Sequence, residues 1–248
     1  MAARPETKRA VPMTREIDSS WVDLEAADGS RFSGFLARPS APGSYPGILV
    51  LMEAFGVNRH IRNVTERIAG EGYLALAPDL YHRSAPRWEG NYEDFSQALV
   101  HLRQMTVEHL SADAQGGYRW LSASGAGQSV GAVGFCFGGR VAFLSSTVAP
   151  LRAACSFYGG GIAPELLDRA KDVAAPLLLF WGGRDQHIPP EQTRATSDAL
   201  RAAGKSFIEV TFSEAGHGFF CEERGSYDPE AARMSWPLLL EFFGHHLR

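Results

Sequence analysis

The stretch that decides the fold is Val130-Gly131-Ala132-Val133 running into Gly134-Phe135-Cys136-Phe137-Gly138-Gly139. An apolar run ends in a sharp turn, and glycines stand where a following helix must pack close. The pattern Gly-x-nucleophile-x-Gly is that of a nucleophile elbow, with Cys136 in the place more often held by serine. Such a turn forces the nucleophile into a strained backbone conformation that only small neighbours tolerate. It also sets sulfur at a helix N-terminus, where free N–H groups favour thiolate. The plainer alternative is a buried cysteine beside a glycine-rich strand–helix turn.

Working outward, apolar runs alternate with helical segments. Trp21 to Leu24 and Arg31 to Ala37 flank Asp28-Gly29 and read as an opening hairpin. Gly47 to Met52 is a continuous apolar run, the mark of a strand covered on both faces. A helix is expected near His60 to Glu71, with Ile61, Val64 and Ile68 on one stripe. Tyr73 to Ala77 is the next strand. After a loop from Pro86 to Asn91, helices are expected over Tyr92 to Leu110 and Asp113 to Leu121, then a turn over Ser122 to Ser129. Ala153 to Tyr158, Leu177 to Trp181 and Phe207 to Thr211 read as strands. Pro190 to Ala203 and Pro229 to Leu247 read as helices, the second amphipathic through Met234, Leu238 and Phe242. The alternation implies an α/β fold, a mostly parallel sheet with helices on both faces. No composition break marks a linker, so one domain from residue 21 onward is expected, preceded by a polar segment from Met1 to about Ser20 that reads as a flexible arm or an outer-edge segment.

Composition excludes several classes. The 248 residues carry a net charge of −4 with acids and bases interspersed, so nothing points to nucleic acid or an anionic membrane surface. Three cysteines, Cys136, Cys155 and Cys221, show neither a disulfide framework nor metal-ligand spacing. No metal or other cofactor is expected. The N-terminus has no apolar stretch of signal-peptide or membrane-span length, and the cytoplasm is the expected location. His245-His246 reads as a solvated helix end.

In sheets of this kind ligands bind beyond the carboxyl ends of the strands. There the chain places Cys136, then Asp185 in Gly182-Gly183-Arg184-Asp185, then His217 in Ala215-Gly216-His217-Gly218-Phe219. The order nucleophile, acid, histidine is that of α/β-hydrolases. Cys136 attacks, His217 moves protons, and Asp185 orients the ring. His187, two residues after the acid, is the competing histidine.

With these segments in hand, the chain resembles the dienelactone hydrolase family of α/β-hydrolases over nearly its whole length. Met52-Glu-Ala-Phe-Gly-Val-Asn58, Pro78-Asp-Leu-Tyr-His-Arg83 and the elbow carry the likeness. The resemblance implies that Glu53 takes the thiol proton when substrate enters. It implies an oxyanion hole from the backbone N–H groups of Phe137 and Ala54, and a carboxylate anchor at Arg83. Trp88 and Tyr92 are candidates to line the pocket. The family's second arginine, four residues after the histidine, is here Cys221, and Arg224 lies three further on. The expected activity is hydrolysis of a small carboxylate-bearing ester or lactone, dienelactone foremost, through a thioester acyl-enzyme, as in aromatic catabolism. A broader carboxylesterase or thioesterase on the same scaffold, or a non-catalytic ligand-binding or redox-sensing protein, are the other readings. The expected state is a monomer or small homo-oligomer.

Overall fold

The computed structural model describes residues 15–248. Eight strands form one sheet: β1 (Ile17–Glu25), β2 (Arg31–Pro39), β3 (Gly47–Leu51), β4 (Leu74–Pro78), β5 (Val130–Phe135), β6 (Ala153–Phe157), β7 (Leu177–Gly182) and β8 (Phe207–Phe212). Their spatial order is β1-β2-β4-β3-β5-β6-β7-β8. β2 runs antiparallel to both β1 and β4, and from β4 across to β8 every pairing is parallel. Six α-helices accompany the sheet: α1 (Arg59–Gly70), α2 (Phe95–Leu102), α3 (Val107–Leu121), α4 (Phe137–Val148), α5 (Pro190–Ala202) and α6 (Pro229–Leu247).

The central strands are apolar throughout because they are covered on both faces. Ile48, Leu49, Val50 and Leu51 of β3 are fully buried. Leu49 meets Gly117 of α3, whereas Gly131 of β5, on the opposite face, lies against Phe243 and Leu247 of α6. α3 and α4 pack together on the first face, where Gln115 donates to the Val148 carbonyl at 3.0 Å. α1 joins α6 on the second, with the Arg67 guanidinium 4.2 Å from the Trp236 ring centroid. Four helices, α1, α2, α3 and α6, start on a capping side chain. Asn58 caps α1 by accepting from the Ile61 N–H at 3.1 Å, and Asp228 caps α6 by accepting from Glu230 and Ala231.

Three expectations need correction. The opening strand starts at Ile17 rather than Trp21, its register with β2 beginning at Ile17 opposite Pro39, so the outer-edge reading of the segment before Trp21 holds from Ile17. This is an edge strand with mostly exposed side chains, so polarity disguised it. The remainder of that segment, Met1 to Thr14, lies outside the described residues. The break between the middle helices falls at Arg103 to Thr106, not after Leu110, because Thr106 caps α3 by accepting from the His109 N–H. In α6 Met234 and Leu238 are exposed, and the buried stripe runs through Ala231, Ser235, Leu239, Phe242, Phe243 and Leu247. Among the described residues no helix is long and apolar enough to cross a membrane.

Candidate active site

The turn from β5 to α4 fixes the place of Cys136. Cys136 has φ 54° and ψ −118°, a conformation that costs about 1–3 kcal/mol for a residue with a side chain. The surroundings over-determine it. The Cys136 N–H donates to the Phe157 carbonyl at 3.0 Å, and its own carbonyl accepts from Gly139 at 2.9 Å. A Cβ at Gly134 would overlap the carbonyl of Gly138, and one at Gly138 would overlap that of Leu51. The glycines thus let the first turn of α4 sit directly on β5 and on the end of β3. The sulfur stands at the helix N-terminus with Phe137 as the first helical residue.

The loops after β7 and β8 bring two further side chains to it. His217 Nε2 is 3.0 Å from Cys136 Sγ, and His217 Nδ1 is 2.8 Å from Asp185 Oδ2. The other carboxylate oxygen of Asp185 accepts from the N–H groups of His187 at 2.8 Å and Ile188 at 3.0 Å. Both side chains are nearly withdrawn from water, at 10% and 2% exposure. Burial works against a charged imidazole. The Cys136 sulfur and then the Asp185 carboxylate outweigh it, and the His217 ring is pushed up to about 10. Burial likewise opposes ionisation of Asp185, yet the His217 ring and the two loop N–H groups hold its carboxyl below the usual range. Such an array can take a proton from sulfur and return one to a leaving group. His187 contributes its backbone here, with its ring 5.1 Å from that of His217.

A second group is built on Glu53, just past the end of β3 and fully buried. Its Oε1 accepts from Arg224 Nη1 at 3.2 Å and its Oε2 from the Tyr92 hydroxyl at 2.9 Å. Tyr92 also accepts from Asn58 Nδ2 at 3.0 Å, which ties the α1 cap to the site. Burial first, and the Glu53 charge second, push the Tyr92 hydroxyl far up, so it remains a donor. Ala54, next to Glu53, accepts from the Tyr81 hydroxyl on its carbonyl at 2.9 Å.

The sequence-based anchor is displaced. Arg83 turns toward α3 and the β1–β2 turn, donating to both oxygens of the buried Asp113 at 2.9 Å, to Asp28 at 2.7 Å and to Ser30 at 2.9 Å. The arginine beside Glu53 is Arg224, left undecided by the sequence. Trp88 packs edge-on against Tyr81 and beside His101, as a wall of the loop after β4. Sequence reasoning missed Tyr158. It follows β6 directly, has φ 39°, lies 5.2 Å ring to ring from His217, and its hydroxyl is buried without a partner. Its place at a strand's carboxyl end was the available signal.

A sheet in this order, a strained cysteine after β5, an acid after β7 and a histidine after β8 have the arrangement of an α/β-hydrolase. The profile of the dienelactone hydrolase family matches residues 32–247, and the chain belongs to that family. It is 36% identical over 247 residues to a protein of Synechocystis that carries the provisional name carboxymethylenebutenolidase, covering 95% of this chain and all of that one. A crystal structure of a provisionally named dienelactone hydrolase from Klebsiella pneumoniae superposes with TM-score 0.83 at 31% identity, over 93% of this chain and 99% of the other. A dienelactone hydrolase-like promiscuous phosphotriesterase from metagenomic libraries superposes with TM-score 0.81 at 26% identity, with the same coverage. The protein is a carboxylic ester hydrolase.

Proposed function

We propose that the protein hydrolyses a carboxylate-bearing ester or lactone, with a dienelactone as leading substrate, using Cys136 as nucleophile. The observation that carries this reading is the line from Cys136 Sγ to His217 to Asp185, at 3.0 and 2.8 Å. Glu53 takes the thiol proton as sulfur attacks the acyl carbon, and the alkoxide or enolate leaves with that proton. The thioester is then cleaved by a water that His217 deprotonates. The N–H groups of Phe137 and Ala54 are the donors to the developing oxyanion, one at the start of α4 and the other beside Glu53.

Arg224 takes the anchoring role in this reading. A substrate carboxylate competes with Glu53 for its guanidinium, and Glu53, once released, is free to accept the thiol proton. The ion pair between Arg224 and Glu53 supports this coupling. With Arg83 engaged elsewhere, a single cation orients the substrate, so neutral aryl esters and thioesters are within range.

The test follows loss of dienelactone ultraviolet absorbance with wild-type protein and with Cys136→Ala. Rapid loss that requires Cys136 supports the lactonase. Cleavage of aryl esters or thioesters alone, again requiring Cys136, keeps the nucleophile and moves the substrate. Cleavage that survives Cys136→Ala sinks the assignment.

A further inference from the structure

Beside the reaction centre lies a cluster that the mechanism does not use as a whole. A ring nitrogen of His60, the sulfur of Cys221 and a carboxylate oxygen of Glu53 all lie within 4.8 Å of one another. They come from three separate pieces of chain: the first turn of α1, the loop between β8 and α6, and the end of β3. All three residues are buried, with His60 at 6% exposure. We propose that Glu53, His60 and Cys221 bind one borderline divalent cation of the Zn2+ class, and that the filled site holds the enzyme inactive.

His60 supplies the first argument. Its Nε2 is buried and has no hydrogen-bond partner. An orphaned buried nitrogen costs about 1–3 kcal/mol, and native folds rarely keep one without a use. Its neighbours on the buried stripe of α1, Ile61, Val64 and Ile68, are apolar, and an apolar residue would satisfy packing here at no such cost.

The donor set supplies the second. One thiolate, one imidazole and one carboxylate suit Zn2+, which takes sulfur at about 2.3 Å and nitrogen or oxygen at about 2.0–2.2 Å in a tetrahedron. Such bonds set ligand atoms roughly 3.3–3.8 Å apart, a contraction within reach of side-chain rotation. The fourth position falls to water or to the Tyr92 hydroxyl, which already bonds Glu53.

Charge supplies the third. Cys221 is a free cysteine, so binding forms a metal–sulfur bond and expels the thiol proton to solvent. A dication with one thiolate, one carboxylate and a neutral imidazole is uncharged as a whole, which a buried site requires. The cation replaces Arg224 as the partner of Glu53, and the partly exposed guanidinium turns to water. A route exists as well. His60 also walls a cavity of about 860 Å³ whose lining mixes the carboxylates of Glu222 and Glu223 with the guanidinium groups of Arg15, Arg67 and Arg248. The inhibitory consequence rests on the proposed role of Glu53: a carboxylate held by metal cannot accept the thiol proton. Binding itself does not depend on that role.

The experiment uses Co2+ in the Cys136→Ser protein, where the nucleophilic thiol is gone. One equivalent of Co2+ is expected to give a thiolate-to-cobalt charge-transfer band. The band should vanish when Cys221→Ser is added, and the affinity should fall at least tenfold when His60→Gln is added instead. Circular dichroism checks each fold, and if the Cys221→Ser protein does not fold, the His60→Gln comparison decides alone. No band, or a band that survives loss of Cys221, overturns the site. In the wild-type enzyme, Zn2+ should lower turnover at least tenfold and EDTA should restore it, while His60→Gln keeps its turnover at the same Zn2+ concentration. Inhibition unchanged in His60→Gln overturns the proposal and assigns the ion to Cys136 and His217. A cobalt band without inhibition keeps the metal site and removes its control over Glu53.

Discussion

Asp185→Asn tests the proton path through an orientation that the structure leaves no freedom to avoid. Asp185 Oδ1 accepts two backbone N–H groups, from His187 and Ile188, while Oδ2 accepts from His217 Nδ1 at 2.8 Å. Asparagine has one oxygen. Turning its amine toward the loop would set it against two N–H donors, the exposed one of His187 and the part-buried one of Ile188, the latter at about 1–3 kcal/mol. The oxygen therefore stays with the loop and the amine faces Nδ1. That nitrogen becomes an acceptor, and the ring proton moves to Nε2, which faces Cys136 Sγ at 3.0 Å. The imidazole can then no longer take a proton from the water that cleaves the thioester. Restoring the working tautomer forfeits a charge-assisted hydrogen bond of about 2 kcal/mol and opposes two donors at about 2 kcal/mol more. Together these come to about 4 kcal/mol, or roughly a thousandfold in rate. The assay is kcat/KM for an aryl ester near neutral pH, with the rate of Cys136 alkylation by iodoacetamide alongside and circular dichroism to show an intact fold. A kcat/KM within tenfold of wild type would refute the assigned hydrogen-bond directions and with them the role of His217 as base.

Arg83→Gln should leave kcat/KM within about threefold of wild type but lower stability by about 2–3 kcal/mol in urea denaturation, because Asp113 is fully buried and keeps only His82; a large rise in KM for carboxylate substrates with normal stability would return Arg83 to the pocket. Arg224→Gln should raise KM for carboxylate-bearing esters at least tenfold and leave neutral aryl esters much less affected, since its guanidinium is the cation paired with Glu53; equal losses on both substrates would remove the anchor. Tyr92→Phe should cost about 1–3 kcal/mol, because Glu53 loses a donor and the Asn58 amide an acceptor inside the fold; an unchanged urea midpoint would show that water fills the gap. Cys136→Ser should lower the titration of His217 from about 10 by roughly 1–3 units, because burial then acts against the charged ring with Asp185 alone to offset it; the ring's NMR shifts against pH read this directly.

These tests fall unevenly because the chain discloses its structure unevenly. β3 could be read because Ile48 to Leu51 are all withdrawn from water, and only a strand covered on both faces needs such a run. The elbow could be read because the close approach of Gly138 to the Leu51 carbonyl excludes any side chain. The edge strand β1 has one covered face and many polar residues, and so as far as Ser20 it reads as a flexible arm or an outer edge alike. In α6 the run from Met234 to Phe243 is apolar on nearly every side, so periodicity alone picks no face. The small residues Ala231 and Ser235, and the groove over Gly131, choose it. The arginines show the deeper limit. A cation's role depends on which anion reaches it first. Asp113 lies thirty residues beyond Arg83 on another element, and Glu53 lies 171 positions from Arg224. Position after a strand says that Arg83 is near the working end of the sheet, and the resemblance to a family says what such an arginine does there. Neither contains the competing carboxylate. Asp113, buried whole inside α3's packing, has to be neutralised for the helix to seat, and that demand is met before any substrate arrives. The arginine left beside the reaction centre is the one whose partner, Glu53, the proposed chemistry itself needs to release.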